Sequence, residues 1–166
     1  MIALFDEYQS KDNAKHVLRS MKENARQGYW NGARPPLGHT AVEVERRGSR
    51  IKKKLAIDAV EAESVRLMFK LFLEGDQGSG PMGVKAITVW LSEHGYRTRG
   101  GATWAIGPVH ALLTHRSMGG ACASTGTRRG GRRKSDAEQV FAGVPAIIEP
   151  QVFDACRACS KSATRA

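Results

Sequence analysis

Apolar side chains recur mostly every three or four positions along residues 2 to 27, and no glycine or proline interrupts them before Gly28. This spacing predicts one long helix with a single narrow apolar seam. Lys11 and Lys15 break the seam near its middle. Because a helix this long with one narrow seam cannot be buried on all sides, we expect it to pack against another subunit or a domain outside this sequence. An ordinary terminal helix that folds back on its own core is the alternative. The seam residues are Leu4, Tyr8, Ala14, Leu18, Met21 and Ala25.

Residues 28 to 38 contain three glycines and the pair Pro35-Pro36, which predict a linker. Residues 39 to 57 then alternate as a β-hairpin does, with the turn at Arg47-Gly48-Ser49. Its basic residues could contact phosphates, or they could form a solvated edge that resists aggregation, and the pattern favours neither reading. They are Arg46, Arg47, Arg50, Lys52, Lys53 and Lys54.

Asp58 is predicted to cap a helix that runs to about Glu74, and Glu61 three residues later would complete a capping box. The apolar face of this helix is typical of core. A glycine-containing loop follows, and Pro81 is predicted at the first position of the next helix. The apolar face consists of Val60, Val65, Met68, Phe69, Phe72 and Leu73.

Residues 82 to 113 carry the most informative pattern. Two short amphipathic helices, Met82–His94 and Trp104–Leu113, flank a tight, basic, glycine-containing connection. This outline is typical of a helix-turn-helix, which places its second helix in a DNA major groove. Trp90 falls on the apolar stripe, which favours a core position over stacking on a base. The residues predicted to point inward are Val84, Ile87, Trp90 and Leu91, then Trp104, Val109, Leu112 and Leu113.

The second of these helices also has a predicted open face, formed by Ile106, Gly107 and His110. Gly107-Pro108 would let the backbone approach the groove closely, with Pro108 tolerated in the first turn. His110 could donate or accept at a base edge, or it could be a surface histidine without a role. Thr103 could cap the helix or contact a phosphate.

The C-terminal region predicts two short strands, at residues 119–124 and 139–142, around a cationic segment at residues 127–134. A short last helix is predicted to begin at Glu149-Pro150, with Val152, Phe153 and Cys156 facing inward. The predicted fold class is therefore mainly α with a small β component, that is, α+β.

The composition favours a binding protein with a polyanionic partner. The formal net charge is +10, from 26 basic and 16 acidic residues, and the basic residues are clustered. A solubilising surface is the alternative. No catalytic constellation or phosphate-binding glycine loop is present, so we nominate no catalytic residue and expect no cofactor. No apolar run has membrane-spanning length, and we expect a cytoplasmic, nucleoid-associated protein.

The three cysteines, Cys122, Cys156 and Cys159, are an odd number, which favours a reducing compartment without a disulfide framework. Cys156 and Cys159 have zinc-knuckle spacing, but a structural zinc site needs four ligands and no second pair exists. We therefore expect no metal and interpret the pair as small residues on a helix face.

Candidate DNA-binding residues are the clustered cations, which would neutralise phosphates, together with the open face of the second helix, which would contact bases. They are Arg26, Arg34, Lys52, Lys53, Lys54, Arg97, Thr98, Arg99, Thr103, Ile106, Gly107, His110, Arg116, Arg128, Arg129, Arg132, Arg133 and Lys134.

An ordered set of short motifs resembles the recombinase domain of large serine recombinases. It includes Ala56-Ile57-Asp58, Val65 to Phe69, Trp90-Leu91, His94-Gly95, Thr98-Arg99-Gly100, Gly119-Gly120 and Ala146 to Pro150. The resemblance implies a double-stranded DNA partner with an attachment-site-like sequence, and a parent enzyme that exchanges DNA strands through a phosphoserine link. It implies that residues 1–32 are the end of a long dimerisation and linker helix, and that residues 33–166 are the DNA-binding domain, non-catalytic by itself. A homodimer through the N-terminal helix would follow.

Three departures from that family matter. It usually has arginines where His110 and Ala111 stand, which bears on base contacts. It usually has an aromatic residue where Met118 stands and a slightly shorter loop at residues 78–80, which bear on packing and loop shape. Two other functions stay open at this point. One is a free-standing helix-turn-helix transcriptional regulator, and the other is a basic RNA-binding or ribosome-associated protein.

Overall fold

The computed structural model describes residues 2–48, 50–77, 79–123 and 141–163. Within these ranges the chain forms five α-helices and two separate two-stranded antiparallel sheets, which confirms the predicted α+β class. The elements are α1 (Ile2–Arg26), β1 (His39–Arg47), β2 (Arg50–Ile57), α2 (Ala59–Leu73), α3 (Val84–Glu93), α4 (Ile106–Thr114), β3 (Ala121–Ala123), β4 (Phe141–Gly143) and α5 (Pro150–Ala163). A short 3₁₀ helix, Arg116–Gly119, follows α4.

Helices α2 to α5 form the helical core. Asp58 caps α2 as predicted, because its carboxylate accepts a hydrogen bond from the backbone N–H of Glu61 at 3.1 Å. The apolar stripe of α2 packs against the other three helices, and the rings of Phe69 and Phe153 lie 6.3 Å apart. The most completely buried apolar side chains are Ala62, Val65, Met68, Phe69, Ile87, Leu91, Val109, Met118 and Cys156.

The predicted apolar face of α2 is wrong at one position. Val60 is 78% exposed. It precedes Val65 by five positions, which places it roughly 140° around the helix from the buried stripe.

Helix α1, the linker of residues 27–38 and the β1–β2 hairpin together form the N-terminal arm. The predicted hairpin is confirmed: His39 pairs with Ile57 at its base and Arg47 pairs with Arg50 at its tip, with a shift of register between Glu43 and Glu45. Leu55 is buried in the hairpin. The backbone N–H of Trp30 donates to the carbonyl of Lys53 at 2.7 Å, so the linker lies along the second strand.

Gly38 is the point where the arm meets the core. Its φ is +79°, and a Cβ atom there would lie 2.3 Å from Cδ1 of Ile147. Next to it, the buried ring of His39 makes a hydrogen bond of 2.9 Å between Nε2 and the carbonyl of Pro145. The positive φ and the close approach to the Ile147 side chain both favour glycine at the point where the arm is anchored.

Both helices of the 82–113 segment begin two residues later than predicted. The N–H of Met82 donates to the carbonyl of Leu71, which holds this residue in an extended segment, and α3 is capped by Gly83. Pro81 is therefore not the first residue of the helix. Helix α4 begins at Ile106 because Trp104 reaches the core from the extended chain before it, and Thr103 makes no capping hydrogen bond. Pro108 lies in the first turn, as predicted.

The short strands β3 and β4 lie within or one residue beyond the predicted ranges and pair with each other, Cys122 opposite Ala142. The cations Arg128, Arg129, Arg132, Arg133 and Lys134 lie outside the described residues. Helix α5 has 14 residues, longer than the short helix predicted, and it buries Phe153 and Cys156. None of the helices in the described part of the chain is both long and apolar enough to cross a membrane.

Candidate nucleic-acid interface

Helix α4 has one buried face and one exposed face. Val109, Leu112 and Leu113 are buried against α2, α3 and α5, as predicted. Ile106, Gly107 and His110 are exposed, which confirms the predicted open face. Ala111 is exposed beside them. Two of these four residues, Gly107 and Ala111, are small, and none of the four belongs to the buried core, so this face can approach another molecule closely.

A tight turn between α3 and α4 holds α4 in place. The N–H of Thr98 donates to the carbonyl of Ala102 at 2.8 Å, and the Thr98 hydroxyl accepts from the N–H of Ala102 at 3.1 Å. The Thr98 hydroxyl is thus used inside the turn. Thr103 is exposed and remains available to a partner.

Arg99 and Glu61 form an ion pair that joins this turn to the start of α2. Both nitrogens Nε and Nη2 of Arg99 donate to the two oxygens of the Glu61 carboxylate. Arg99 also donates to the carbonyls of Pro35, at 3.3 Å, and His39, at 3.1 Å. The Arg99 guanidinium holds the pKa of Glu61 below its ordinary value, while burial works in the opposite direction.

The predicted capping box at α2 is therefore only half formed. The Glu61 carboxylate accepts from the N–H of Gly38 at 2.9 Å and from Arg99, whereas the N–H of Asp58 donates to the carbonyl of Gly38. Glu61 thus binds the linker and the α3–α4 turn instead of the backbone of its own N-cap. The sequence could not indicate this, because the partners lie 23 and 38 positions away.

The outer surface of α3 carries an aromatic stack. The ring of Trp90 lies 3.7 Å from that of His94, nearly parallel to it, and Nε1 of Trp90 donates to Asp76 at 3.0 Å. Trp90 is half-buried at the edge of the core, so its predicted inward orientation is confirmed in part. Arg97 is exposed nearby, and its guanidinium donates to the carbonyls of Ser92 and Tyr96.

The three hairpin lysines contact different side chains on the two faces of the hairpin. Lys52 and Lys54 each place the ammonium group 5.3 Å from the ring centre of Tyr29, whereas Lys53 pairs with Glu43 at 3.5 Å. Lys52 also donates to the side chain of Asn24 in α1. Lys54 is exposed and the other two are half-buried, so Lys54 offers the most accessible positive charge of the three.

Acidic residues on β1 reduce the charge of the hairpin. The carboxylate of Glu45 accepts from the Tyr29 hydroxyl at 2.6 Å and from Arg47 at 2.7 Å. The hydrogen bond from Glu45 raises the pKa of Tyr29, and those from Arg47 and Tyr29 lower the pKa of Glu45. Sequence reasoning missed this pairing because it depends on the strand register and its shift beside Glu45.

A groove of about 690 Å³ separates the linker from α4. Trp30 and the exposed Arg34 line one side, and Pro108 and Ala111 of α4 line the other. Trp104 also lines the groove, and its buried indole N–H has no hydrogen-bond partner within the described residues. Arg34 is thereby brought beside the exposed face of α4, although the two are far apart in the sequence.

The remaining candidate cations are more dispersed. Arg26, at the end of α1, is exposed and lies 3.6 Å from Glu23. Arg116 is half-buried in the 3₁₀ helix after α4. The structure therefore gathers Arg34, Thr103 and the exposed face of α4 into one region, and leaves Arg26 and the hairpin lysines on the arm.

Cys156 and Cys159 lie in α5, one turn apart, which agrees with the predicted helix-face interpretation. Cys156 is buried, and burial raises the pKa of its thiol to about 11; Cys159 is exposed. Over the residues that the structure describes, no three His, Cys, Asp or Glu side chains lie close enough together to hold a metal ion.

Comparison with known proteins gives one family and one fold. The family model described as Recombinase matches residues 59–161, which run from the start of α2 almost to the end of α5. The crystal structure of a complex between an LSR and DNA has a TM-score of 0.61 and 15% identity, over 88% of this chain and 39% of that chain. A structure from work on the sequence requirements of the Listeria innocua prophage attP site has a TM-score of 0.59 and 14% identity, over 88% of this chain and 51% of that chain. This chain thus spans between 39% and 51% of the length of these two structures. No curated protein matches the sequence.

Proposed function

This chain belongs to the Recombinase family, and we propose that it is the double-stranded DNA-binding module of a site-specific serine recombinase. In this proposal the module contacts an attachment-site-like sequence with the exposed face of α4. It contributes DNA binding and no catalytic residue. Family membership and the fold shared with an LSR–DNA complex favour this function over a free-standing regulator or an RNA-binding protein.

The exposed face of α4 is the observation that carries the proposal. An α-helix that enters a major groove needs one face anchored in its own domain and one face free to meet base edges. Helix α4 meets both conditions, with Val109, Leu112 and Leu113 buried and Ile106 half-exposed at 50%. Gly107 adds no side chain, which lets the backbone approach the bases.

Base contacts and phosphate contacts fall on different residues in this proposal. Ile106 offers an apolar contact of the kind that recognises a thymine methyl group, and the His110 ring can donate to or accept from a base edge. Arg34, across the groove from α4, and Lys54, on the hairpin, supply exposed charge for phosphates. Phosphate contacts orient the protein and carry no direct sequence information.

The proposal is tested by the salt dependence and the selectivity of binding. Fluorescence anisotropy would measure the affinity of the chain for a duplex selected from a random pool, for unselected duplexes, for RNA and for heparin. We expect the selected duplex to bind most tightly, and the logarithm of affinity to fall by about 0.9 per logarithm of salt for each phosphate neutralised. Equal affinity for all four ligands at physiological salt would overturn it.

His110→Ala separates sequence recognition from general attraction to DNA. We expect this change to alter which duplexes are selected and to leave the affinity for unselected duplexes nearly unchanged. Arg34→Gln is the matched control, and it should weaken binding to every duplex. It should also reduce the slope of log affinity against log salt by about 0.9, the value for one phosphate contact. An unchanged site preference in His110→Ala would remove His110 from the recognition face.

The proposal includes a homodimer formed through α1. Val17 and Leu18 support it, because they are 57% and 44% exposed on a helix whose buried contact with the chain lies near Ala25. Sedimentation analysis of the chain and of Leu18→Glu tests this part. A dimer that Leu18→Glu dissociates is expected, and a chain that is monomeric at every concentration would contradict it.

A further inference from the structure

We propose that Arg99 is a positioning residue, which with Glu61 fixes the orientation of α4 relative to the linker and the hairpin and does not itself bind a DNA phosphate. This inference rests on the proposed DNA binding and identifies what sets its geometry. The sequence position of Arg99, in a basic turn just before α4, predicts a phosphate contact instead.

The Arg99–Glu61 cluster joins three segments that are distant in the sequence. Glu61 lies in the first turn of α2, and Arg99 lies in the turn that leads into α4. The linker and the first residue of β1 supply the third set of contacts, through the carbonyls of Pro35 and His39 and the N–H of Gly38. Both side chains therefore contact the linker and each other.

Four of the five N–H groups of Arg99 already donate within the protein. Nε and Nη2 donate to Glu61, Nη2 also donates to His39, and Nη1 donates to Pro35. A two-pronged guanidinium–carboxylate pair is among the stronger and more directional polar contacts in proteins. The exposed fractions of the two side chains are only 32% and 19%, so solvent screens the pair less than a surface ion pair.

A phosphate bound by two N–H groups of Arg99 would break at least one of these contacts and would lie close to the negatively charged Glu61 carboxylate. The other charged groups near the cluster are Asp58 and Arg34. Of these, Arg34 is the exposed cation on the groove beside α4, and it can bind a phosphate without breaking the Arg99–Glu61 contacts. The cluster thus holds the α3–α4 turn against the linker, so that α4 and the hairpin meet DNA as one rigid unit.

Glu61→Gln tests the inference, because the two possible roles of Arg99 predict opposite changes in DNA affinity. If Arg99 contacts a phosphate, removing the neighbouring carboxylate charge frees the guanidinium, and affinity for every duplex rises. If Arg99 positions α4, affinity for the selected duplex falls by about threefold or more, because a contact to a charged group is lost, while affinity for unselected duplexes is unchanged or slightly higher. Glu63→Gln, an exposed carboxylate on the same helix, is the matched control and should not reduce the preference for the selected duplex.

Arg99→Lys is the conservative second variant. Lysine keeps the charge and loses the two-pronged geometry. A positioning role predicts the same loss of preference as in Glu61→Gln with an unchanged salt slope, whereas a phosphate contact predicts nearly unchanged binding. Thermal unfolding of each variant ensures that binding is measured on folded protein, and Arg99→Lys keeps the test open if Glu61→Gln does not fold.

The outcomes separate this inference from the proposed function. If the unmodified chain shows no preference among duplexes, the proposed function fails whatever the variants do. If the unmodified chain has a preference, and Glu61→Gln tightens binding to all duplexes or Arg99→Lys binds as the unmodified chain does, DNA binding stands and the positioning role of Arg99 is overturned.

Discussion

The helical core and the N-terminal arm are stabilised by different kinds of contact. The core buries apolar side chains from four helices around Phe69 and Ile87, each almost fully shielded from solvent. The arm leaves Val17, Val44 and Ile51 largely exposed, and its parts are joined by polar contacts, such as those of Tyr29 with Glu45 and Lys52 with Asn24. Apolar burial therefore dominates in the core, whereas the arm combines polar contacts with a few buried apolar side chains, Ala25 and Leu55 among them.

In the proposed function this difference has a consequence. A recognition helix must keep its position when it binds DNA, and α4 would obtain that from the core. The arm would hold its cations near the same duplex, which polar contacts can do without a large apolar interface. The core and the arm meet at Leu37, Gly38 and His39 and at the Arg99–Glu61 cluster, and α1 also contacts β4. These places decide whether the two behave as one unit.

The largest expected effect comes from a cavity in the core. Phe69→Ala should lower the free energy of unfolding by about 3–5 kcal/mol, because it removes a buried ring packed against Phe153. Denaturant unfolding followed by circular dichroism would measure it. Val60→Ala on the exposed side of the same helix is the control and should change stability little; equal effects at the two positions would contradict the described core.

Gly38→Ala should cause the second largest loss of stability, and it tests the junction of arm and core. A positive φ costs a non-glycine residue roughly 1–2 kcal/mol, and the new methyl group would also clash with Ile147. Gly28→Ala, at φ +74° with no atom within 4 Å of the new Cβ, incurs only the first cost. Thermal unfolding should therefore show Gly38→Ala as clearly the less stable of the two, and similar midpoints would mean that arm and core do not touch closely here.

The pH dependence of stability tests the Arg99–Glu61 cluster. Because Arg99 lowers the pKa of Glu61 in the folded chain, this carboxylate contributes stability above its ordinary pKa, and the contribution is lost as pH falls through the lowered pKa. Unfolding free energies measured from neutral to acid pH should fall more steeply for the unmodified chain than for Glu61→Gln. Parallel curves would show that the carboxylate is not engaged in solution.

Tyr29→Phe should have the smallest effect on global stability, because it removes one polar contact of the arm and no core packing. The expected change is local: amide protons of the β1–β2 hairpin should exchange several-fold faster, while those of α2 and α4 keep their rates. Hydrogen exchange followed by mass spectrometry measures both regions at once. Faster exchange in α4 as well would show that the arm supports the core more than its contacts indicate.

The sequence predicted the helices and the hairpin because apolar spacing and turn residues specify them locally. It placed the starts of α3 and α4 two residues early, since the contacts that delay them, Met82 with Leu71 and Trp104 with the core, are tertiary. The exposed face of α4 followed from helical periodicity. The role of Arg99 did not, because its partners lie 38 to 64 positions away and leave no mark on the local pattern.

The most direct test of the central claim is a nuclear magnetic resonance titration of the chain with its selected duplex. If the exposed face of α4 enters the DNA groove, the largest amide shift changes should fall at Thr103, Ile106, Gly107, His110 and Ala111, with smaller ones at Arg34 and Lys54. The buried Ile87 and the exposed outer side of α2 at Val60 should change little. Changes confined to residues 124–140 or to the hairpin, with α4 unaffected, would contradict the account.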